Sequence, residues 1–232
     1  MFTYTDSGAI CPVVFVGSIL KSYVILLAMK QKLKYWQFIL YLPVYLVFFF
    51  LVEARKVDVT YINIPFDDLI PFIEVFIVPY LLWFPFIFLA IGYLFVKDKY
   101  EFFAMCWSLM IGMTLFIIIS FVFPNGLSLR PEVLPRDNVF TRLVAGLYSN
   151  DTPTNVLPSI HVFNSLVCGV SLANTLKREG HKIAAFCSVA MAALITISTM
   201  FVKQHSVVDV VAALVLSSLC FLLLRKLYHR AD

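Results

Sequence analysis

The 232-residue sequence predicts an all-α, polytopic integral membrane helix bundle, and three observations carry that prediction. Its residues are 61% apolar and only 14% charged, against about 25% charge in a soluble domain, so a water-soluble core of this size could not hide the apolar surface. The apolar residues gather in six runs long enough to cross a bilayer at about 20 residues per crossing. Aromatic residues such as Tyr35, Trp36, Trp83, Tyr100, Trp107 and Tyr228 sit near the ends of those runs, with Lys and Arg just outside, as an interface requires. A soluble enzyme, a disordered chain and a nucleic-acid-binding protein are thereby excluded. The net charge of +4 reads as loop bias, not as a basic binding face.

Taken in order, residues 1–34 form an N-terminal segment expected to be an interfacial or extra helix. Its apolar run 9–29 contains Pro12 and Lys21, and a lysine at the bilayer centre costs about 3 kcal/mol. No basic stretch precedes that run and no small-x-small site follows it, so it does not read as a cleaved signal. The six spans are expected at 36–52, 71–96, 102–123, 157–176, 183–202 and 206–224, within one membrane domain over 35–228 and ahead of a short tail, 229–232. The five cysteines, Cys11, Cys106, Cys168, Cys187 and Cys220, lie in apolar stretches without a C-x-x-C pair, and are expected to be small buried hydrophobes.

Orientation follows from the basic residues. Eleven fall on one side of the six spans (Lys30, Lys32, Lys34, Lys97, Lys99, Lys177, Arg178, Lys182, Arg225, Lys226 and Arg230) and six on the other (Arg55, Lys56, Arg130, Arg136, Arg142 and Lys203). The positive-inside rule then puts both termini in the cytoplasm, with the 53–70 loop, the 124–156 loop and the 203–205 turn facing outward. The 124–156 loop is rich in Pro, Asn and Gly, reads as turns, and at that length is expected to be functional.

Ionisable residues inside a membrane are costly and mark function. Here they are His161 at the head of span four, and His205 with Asp209 at the head of span six, all at one depth. His205 and Asp209 are four residues apart and so share a helix face. The carboxylate can fix the imidazole tautomer and leave the other nitrogen free as a base or nucleophile. His161 could protonate a leaving oxygen as general acid. Ser159 lies among free amides at a helix N-terminus, where anions bind, although alone it reads equally as a helix cap beside Pro158. Lys203 and Arg130 add positive charge at the same rim, though singly each reads as a loop charge. A His, His and Asp metal site lacks an evident further ligand.

Pro158-Ser159-Ile160-His161 and His205-Ser206-Val207-Val208-Asp209 resemble the motifs of the type 2 phosphatidic acid phosphatase superfamily. Those motifs run Lys-x6-Arg-Pro, Pro-Ser-Gly-His and Ser-Arg-x5-His-x3-Asp, on a six-helix membrane bundle. Arg130-Pro131 matches the end of the first, and the resemblance spans roughly residues 35–228. Three positions depart from it: Phe123 stands where the motif has Lys, Ile160 where it has Gly, and Thr199, after Ser198, where it has Arg. This pattern, with Asp68 and Ile70-Pro71-Phe72 entering span two, is similar to the branch of inositol phosphotransferases and sphingomyelin-synthase-like proteins.

The resemblance implies a plasma-membrane lipid phosphatase or phosphotransferase working at the outer face with no cofactor or metal. His205 would be the nucleophile, Asp209 its orienting partner and His161 the acid. Ser159, Arg130 and Lys203 would bind the phosphate. The implied partners are a membrane lipid phosphate and the bilayer, with no nucleic acid. A protein of a different class, a catalytically impaired binding protein or a small transporter using His161, His205 and Asp209 as a proton relay, fits the same cluster.

Overall fold

A computed structural model describes residues 35–228 of the chain, with side chains through Leu224. The N-terminal segment 1–34, with Cys11, and the tail 229–232 lie outside the described residues. The remainder is the predicted all-α polytopic bundle. Helix α1 spans Trp36–Glu53, followed by a short strand β1 (Thr60–Tyr61), a one-turn helix α2 (Pro65–Asp68) and a 3-10 turn at Glu74–Phe76. Helices α3 (Ile77–Leu81), α4 (Trp83–Lys97) and α5 (Lys99–Val122) come next, then β2 (Asn125–Gly126) and α6 (Val139–Asn150). The chain ends in α7 (Ile160–Arg178), α8 (Lys182–Phe201) and α9 (Val207–Tyr228).

Among the described residues, five stretches are long and apolar enough to cross a membrane: α1, Glu74–Lys97, α5, α8 and Val207–Leu224 of α9. The sixth predicted span corresponds to α7, and its polar composition has a structural reason. It packs against α4, α5, α8 and α9 and buries Asn164, Ser165, Ser171 and Thr175, so those polar side chains are kept inside the bundle and out of contact with hydrocarbon. Apolar side chains such as Ile39, Phe88, Leu89, Ile183 and Leu222 are exposed on the surrounding helices, an outward face suited to hydrocarbon.

The second span is broken where a single helix is expected. Pro85 lacks the N–H that would bond to the carbonyl of Leu81, and the helix interrupts at Leu82 between α3 and α4. The 124–156 loop is also more ordered than its turn residues imply, because it contains α6. Asn138 caps that helix, accepting from Thr141 N–H at 3.0 Å, and Phe140, Val144, Leu147 and Tyr148 form an apolar face against Ile77, Tyr80 and Val202. The salt bridge of Arg136 to Glu74 (2.5 Å), with Asn138 donating to the same carboxylate (2.9 Å), pins the loop over the start of the second span. Strands β1 and β2 join the 53–70 and 124–156 loops through a parallel pairing. Cys106, Cys168 and Cys220 are buried, but Cys187 is exposed; it lies on the outward side of α8, where an apolar thiol is as well placed in lipid as in a core.

Close helix contacts depend on glycine at two places. A Cβ on Gly112 would lie 2.1 Å from Phe163 Cε1, and one on Gly169 would lie 2.8 Å from Ala192 Cβ. Ser188 Oγ donates to the Gly169 carbonyl at 2.9 Å, so α7 and α8 approach with a hydrogen bond as well as close packing. Because Phe163 is 1% exposed and part of the central core, its ring has little room to yield. Gly112→Ala is therefore expected to destabilise the fold by about 1–3 kcal/mol, read as a lowered Tm in detergent; an unchanged Tm would show that the α5–α7 contact is not tight.

The helix ends remote from the long loops are fastened separately. Asp98 caps α5 by accepting from Glu101 N–H at 3.1 Å. It also accepts from Thr175 Oγ1 at 2.9 Å and pairs with Arg178, which reaches Glu101 as well. Gly180, at φ 86°, ends α7 in the left-handed conformation that favours glycine.

Candidate active site

The site forms where α7 and α9 begin, under the two long loops. Ser159 caps α7, its Oγ accepting from Val162 N–H at 3.3 Å, and that cap places His161 in the first turn. The approach to the cap is held by buried Asn125, whose Oδ1 accepts from the N–H groups of Val156 (2.9 Å) and Leu157 (3.0 Å). Ser159 N–H reaches the Asp209 carbonyl at 3.3 Å, joining the starts of the two helices. On the other side, α8 ends at Phe201 and the chain turns through Lys203 at φ 53°, a conformation costing about 1 kcal/mol or more for a non-glycine residue. The Thr199 carbonyl then accepts from the N–H groups of Gln204 (2.9 Å) and His205 (3.2 Å).

His161, His205 and Asp209 are brought together. His205 Nδ1 lies 3.0 Å from Asp209 Oδ2; an ionised carboxylate only accepts, so Nδ1 carries the proton and Nε2 keeps a free lone pair. That Nε2 lies 3.4 Å from His161 Nδ1. Asp209 is fully buried and His205 is 7% exposed, so the pair is protected from bulk water. The His161 ring stacks on Tyr80 (4.7 Å between centroids) and packs at a tilt against Trp83 (4.5 Å), which fixes its plane. Both aromatics come from the broken second span, so the break at Leu82 contributes to the wall of the site.

Arg130 lies at the same rim. Its Nη2 donates to Gln204 Oε1 at 2.7 Å and its Nη1 to the Tyr148 carbonyl at 3.2 Å. The guanidinium sits 4.4 Å above the Tyr148 ring, a stacked arrangement suited to arginine. Burial pulls the Arg130 pKa down, and the nearby Asp151 carboxylate and the Tyr148 and Tyr80 phenols act to restore it. Burial pushes the Asp151 carboxyl up, with His205 and Arg130 opposing that shift. Among the described residues around the site, Arg130 Nε, Gln204 Nε2, Trp83 Nε1 and Asp209 Oδ1 are buried without a hydrogen-bond partner. Three of these four are N–H donors next to the two histidines or to their neighbours.

Lys203 is placed differently from the sequence expectation. Its ammonium donates to the carbonyls of Asp67 (2.8 Å) and Ile70 (2.5 Å), away from the histidine pair. Burial lowers its pKa, while Asp67 and Asp68 raise it. Of the two aspartates, Asp68 is exposed and Asp67 is buried. The residues not anticipated from sequence are thus Asp67, Gln204, Asn125, Asp151 and the Tyr80–Trp83 wall. A hint of Asp67 was present: an acidic residue two places after Pro65 sits in the first turn of α2, where a carboxylate is favoured. Among the described residues no three His, Cys, Asp or Glu side chains form a metal-binding group.

The bundle and this site define a polytopic membrane protein with a His–Asp pair facing a second histidine at one end of its central helices. Compared with known families, residues 103–232 match the model of the PAP2 superfamily, and the chain belongs to that superfamily. The matched region contains Arg130, Ser159, His161, Lys203, His205 and Asp209. Membership supports phosphatase- or phosphotransferase-type activity on lipid phosphates in general. No curated protein and no solved structure matches the chain.

Proposed function

We propose that the protein is a lipid phosphatase or phosphotransferase that works at the outer face of the plasma membrane through a phosphohistidine on His205, both termini lying in the cytoplasm. The observation carrying this reading is the pairing of His205 Nδ1 with Asp209 at 3.0 Å, which leaves Nε2 directed to His161. In the first step Nε2 attacks phosphorus, an N–P bond forms, and the P–O bond to the departing group breaks. His161 gives that oxygen a proton. In the second step water or an alcohol attacks phosphorus, the N–P bond breaks, and His161 takes the proton from the incoming oxygen. Water yields a phosphatase and an alcohol a phosphotransferase. Asp209 holds the tautomer and stabilises the charge that His205 acquires.

Negative charge on the phosphoryl oxygens must be met by donors already in place. Arg130 and Ser159 with the first amides of α7 are the proposed ligands; Lys203, whose ammonium is taken up by the Asp67 and Ile70 carbonyls, is not among them. With Phe123 and Thr199 standing where the family motifs have Lys and Arg, fewer cations face the phosphate. That favours a singly charged phosphodiester head group, as handled by the branch of inositol phosphotransferases and sphingomyelin-synthase-like proteins. The eleven-to-six division of Lys and Arg supports the outward orientation of the site. A proton relay needs ionisable groups through the depth of the bundle. The interior hydroxyls of Ser108, Ser165 and Ser188 instead bond to helix carbonyls.

Purified protein incubated with lipid phosphate monoesters and phosphodiesters, with and without acceptor alcohols, should release phosphate or form a new lipid. Arg130→Ala should lower kcat/KM at least about tenfold, since a charge-assisted hydrogen bond to the reacting group contributes roughly 1.5–3 kcal/mol. Turnover unaffected by Arg130→Ala would remove that residue from the phosphate site.

A further inference from the structure

We infer that Asp67 and Lys203 are positioning residues for His205, forming a reciprocal clasp between the 64–70 turn and the 203–207 turn that sets where the imidazole stands. The inference rests on the proposed role of His205 and concerns what holds it. The first N–H groups of α9 have no partner within the helix. Ser206 Oγ accepts from Val208 N–H at 3.1 Å, and Asp67 Oδ1 accepts from Val207 N–H at 2.8 Å. Asp67 Oδ2 accepts from Ser206 Oγ at 2.7 Å and from Ile64 N–H at 2.8 Å. The carboxylate is 1% exposed, so its negative charge is set inside the protein against the positive end of the helix dipole.

The second arm runs the other way. Lys203 donates its ammonium to the Asp67 and Ile70 carbonyls, at the end of α2. A third strap, Ile73 N–H to the Phe201 carbonyl at 3.1 Å, continues the same seam. Gln204 and His205 lie between the two arms, and both ends of that dipeptide are tied to one turn more than 130 residues away in sequence. The lysine's left-handed backbone is what directs its side chain back to α2 while the chain goes on into α9. A nucleophile displaced by about 1 Å can lose 10²-fold in rate, so a clasp on its backbone acts on kcat and not on binding.

The test compares wild type with Asp67→Asn and Lys203→Met in detergent micelles, using the short-chain phosphodiester lipid or phosphatidic acid that wild type turns over fastest. The clasp predicts a kcat lower by about tenfold to 10²-fold with KM within about twofold in both variants. A phosphate-binding lysine would instead raise KM in Lys203→Met, and that result would overturn the second arm. An activity-independent reading uses the downfield Nδ1–H proton resonance of the His205–Asp209 pair, assigned by its loss in Asp209→Asn. It should move or disappear in Asp67→Asn and Lys203→Met. Should Asp67→Asn not fold, Ser206→Ala, which removes one donor to the same carboxylate, is read in its place and should shift the resonance in the same sense. If wild type turns over no phosphate ester yet the resonance responds, the proposed function fails and the clasp stands. An unmoved resonance with unchanged kcat overturns the clasp.

Discussion

His205→Ala is expected to abolish turnover, lowering kcat by at least about 10³-fold, because removing a nucleophile leaves only the contribution of binding and oxyanion-type stabilisation. The alternative nucleophile in reach is His161, whose ring packs against Tyr80 and Trp83 and, among the described residues, has His205 and not a carboxylate as its hydrogen-bond partner. Alanine would also leave the fully buried Asp209 carboxylate without its imidazole partner, so part of any loss could come from instability. His205→Asn separates the two effects. Its side-chain amide can still donate to Asp209 but offers no lone pair at the Nε2 position, so it should be as inactive as His205→Ala while keeping a Tm near that of wild type.

Asp209→Asn should cost about 10²–10⁴-fold in kcat with a small change in KM. A carboxylate can only accept, whereas an amide can present its N–H group to the ring, and the imidazole proton then moves to Nε2, where it blocks attack on phosphorus. The backbone half of the junction survives this change, because Ser159 N–H bonds to the Asp209 carbonyl and not to its side chain. Comparing kcat for Asp209→Asn with kcat for His205→Asn tells whether the two residues act as one unit. If they do, the double variant is no slower than His205→Asn alone. Wild-type turnover in Asp209→Asn would show that the tautomer is not set by this carboxylate.

Much of the architecture was legible from apolar run length, since run length is what a bilayer selects. The five apolar helices and the central α7 stand within a few residues of the predicted spans. What run length does not encode is the interruption at Leu82: an apolar stretch containing Pro79 and Pro85 reads the same whether straight or broken. Helix α6 was obscured by flanking Pro and Gly, although Asn138 with Thr141 at the capping spacing and the apolar spacing of Phe140, Val144 and Leu147 were its signal. The grouping of His161, His205 and Asp209 was legible because helix periodicity and depth are local properties of a span. Long-range partners were not. Asp67 and Asp68 both fall in the first turn of α2, and only folding shows which of them faces Ser206 and Val207. Lys203 had the right charge and the right position for a phosphate ligand, yet its ammonium bonds to the turn that carries Asp67.

Neither Phe123 nor Thr199, the two departures from the family motifs at cationic positions, supplies a charge. Thr199 is fully buried and its hydroxyl donates to the Thr196 carbonyl at 2.7 Å, so the side chain at this position is satisfied by its own helix and brings no charge to the site. Arg130 is tied to the histidine pair through the hydrogen-bond network, donating to Gln204, the residue directly before His205.

The central claim, that His205 carries the phosphoryl group, is tested most directly by rapid quenching of purified protein with a radiolabelled lipid phosphate. The account predicts an alkali-stable, acid-labile adduct approaching one per protein chain in the first turnover, located on the peptide containing His205 and missing from His205→Asn. Turnover without any such adduct, or an adduct that persists in His205→Asn, would contradict it.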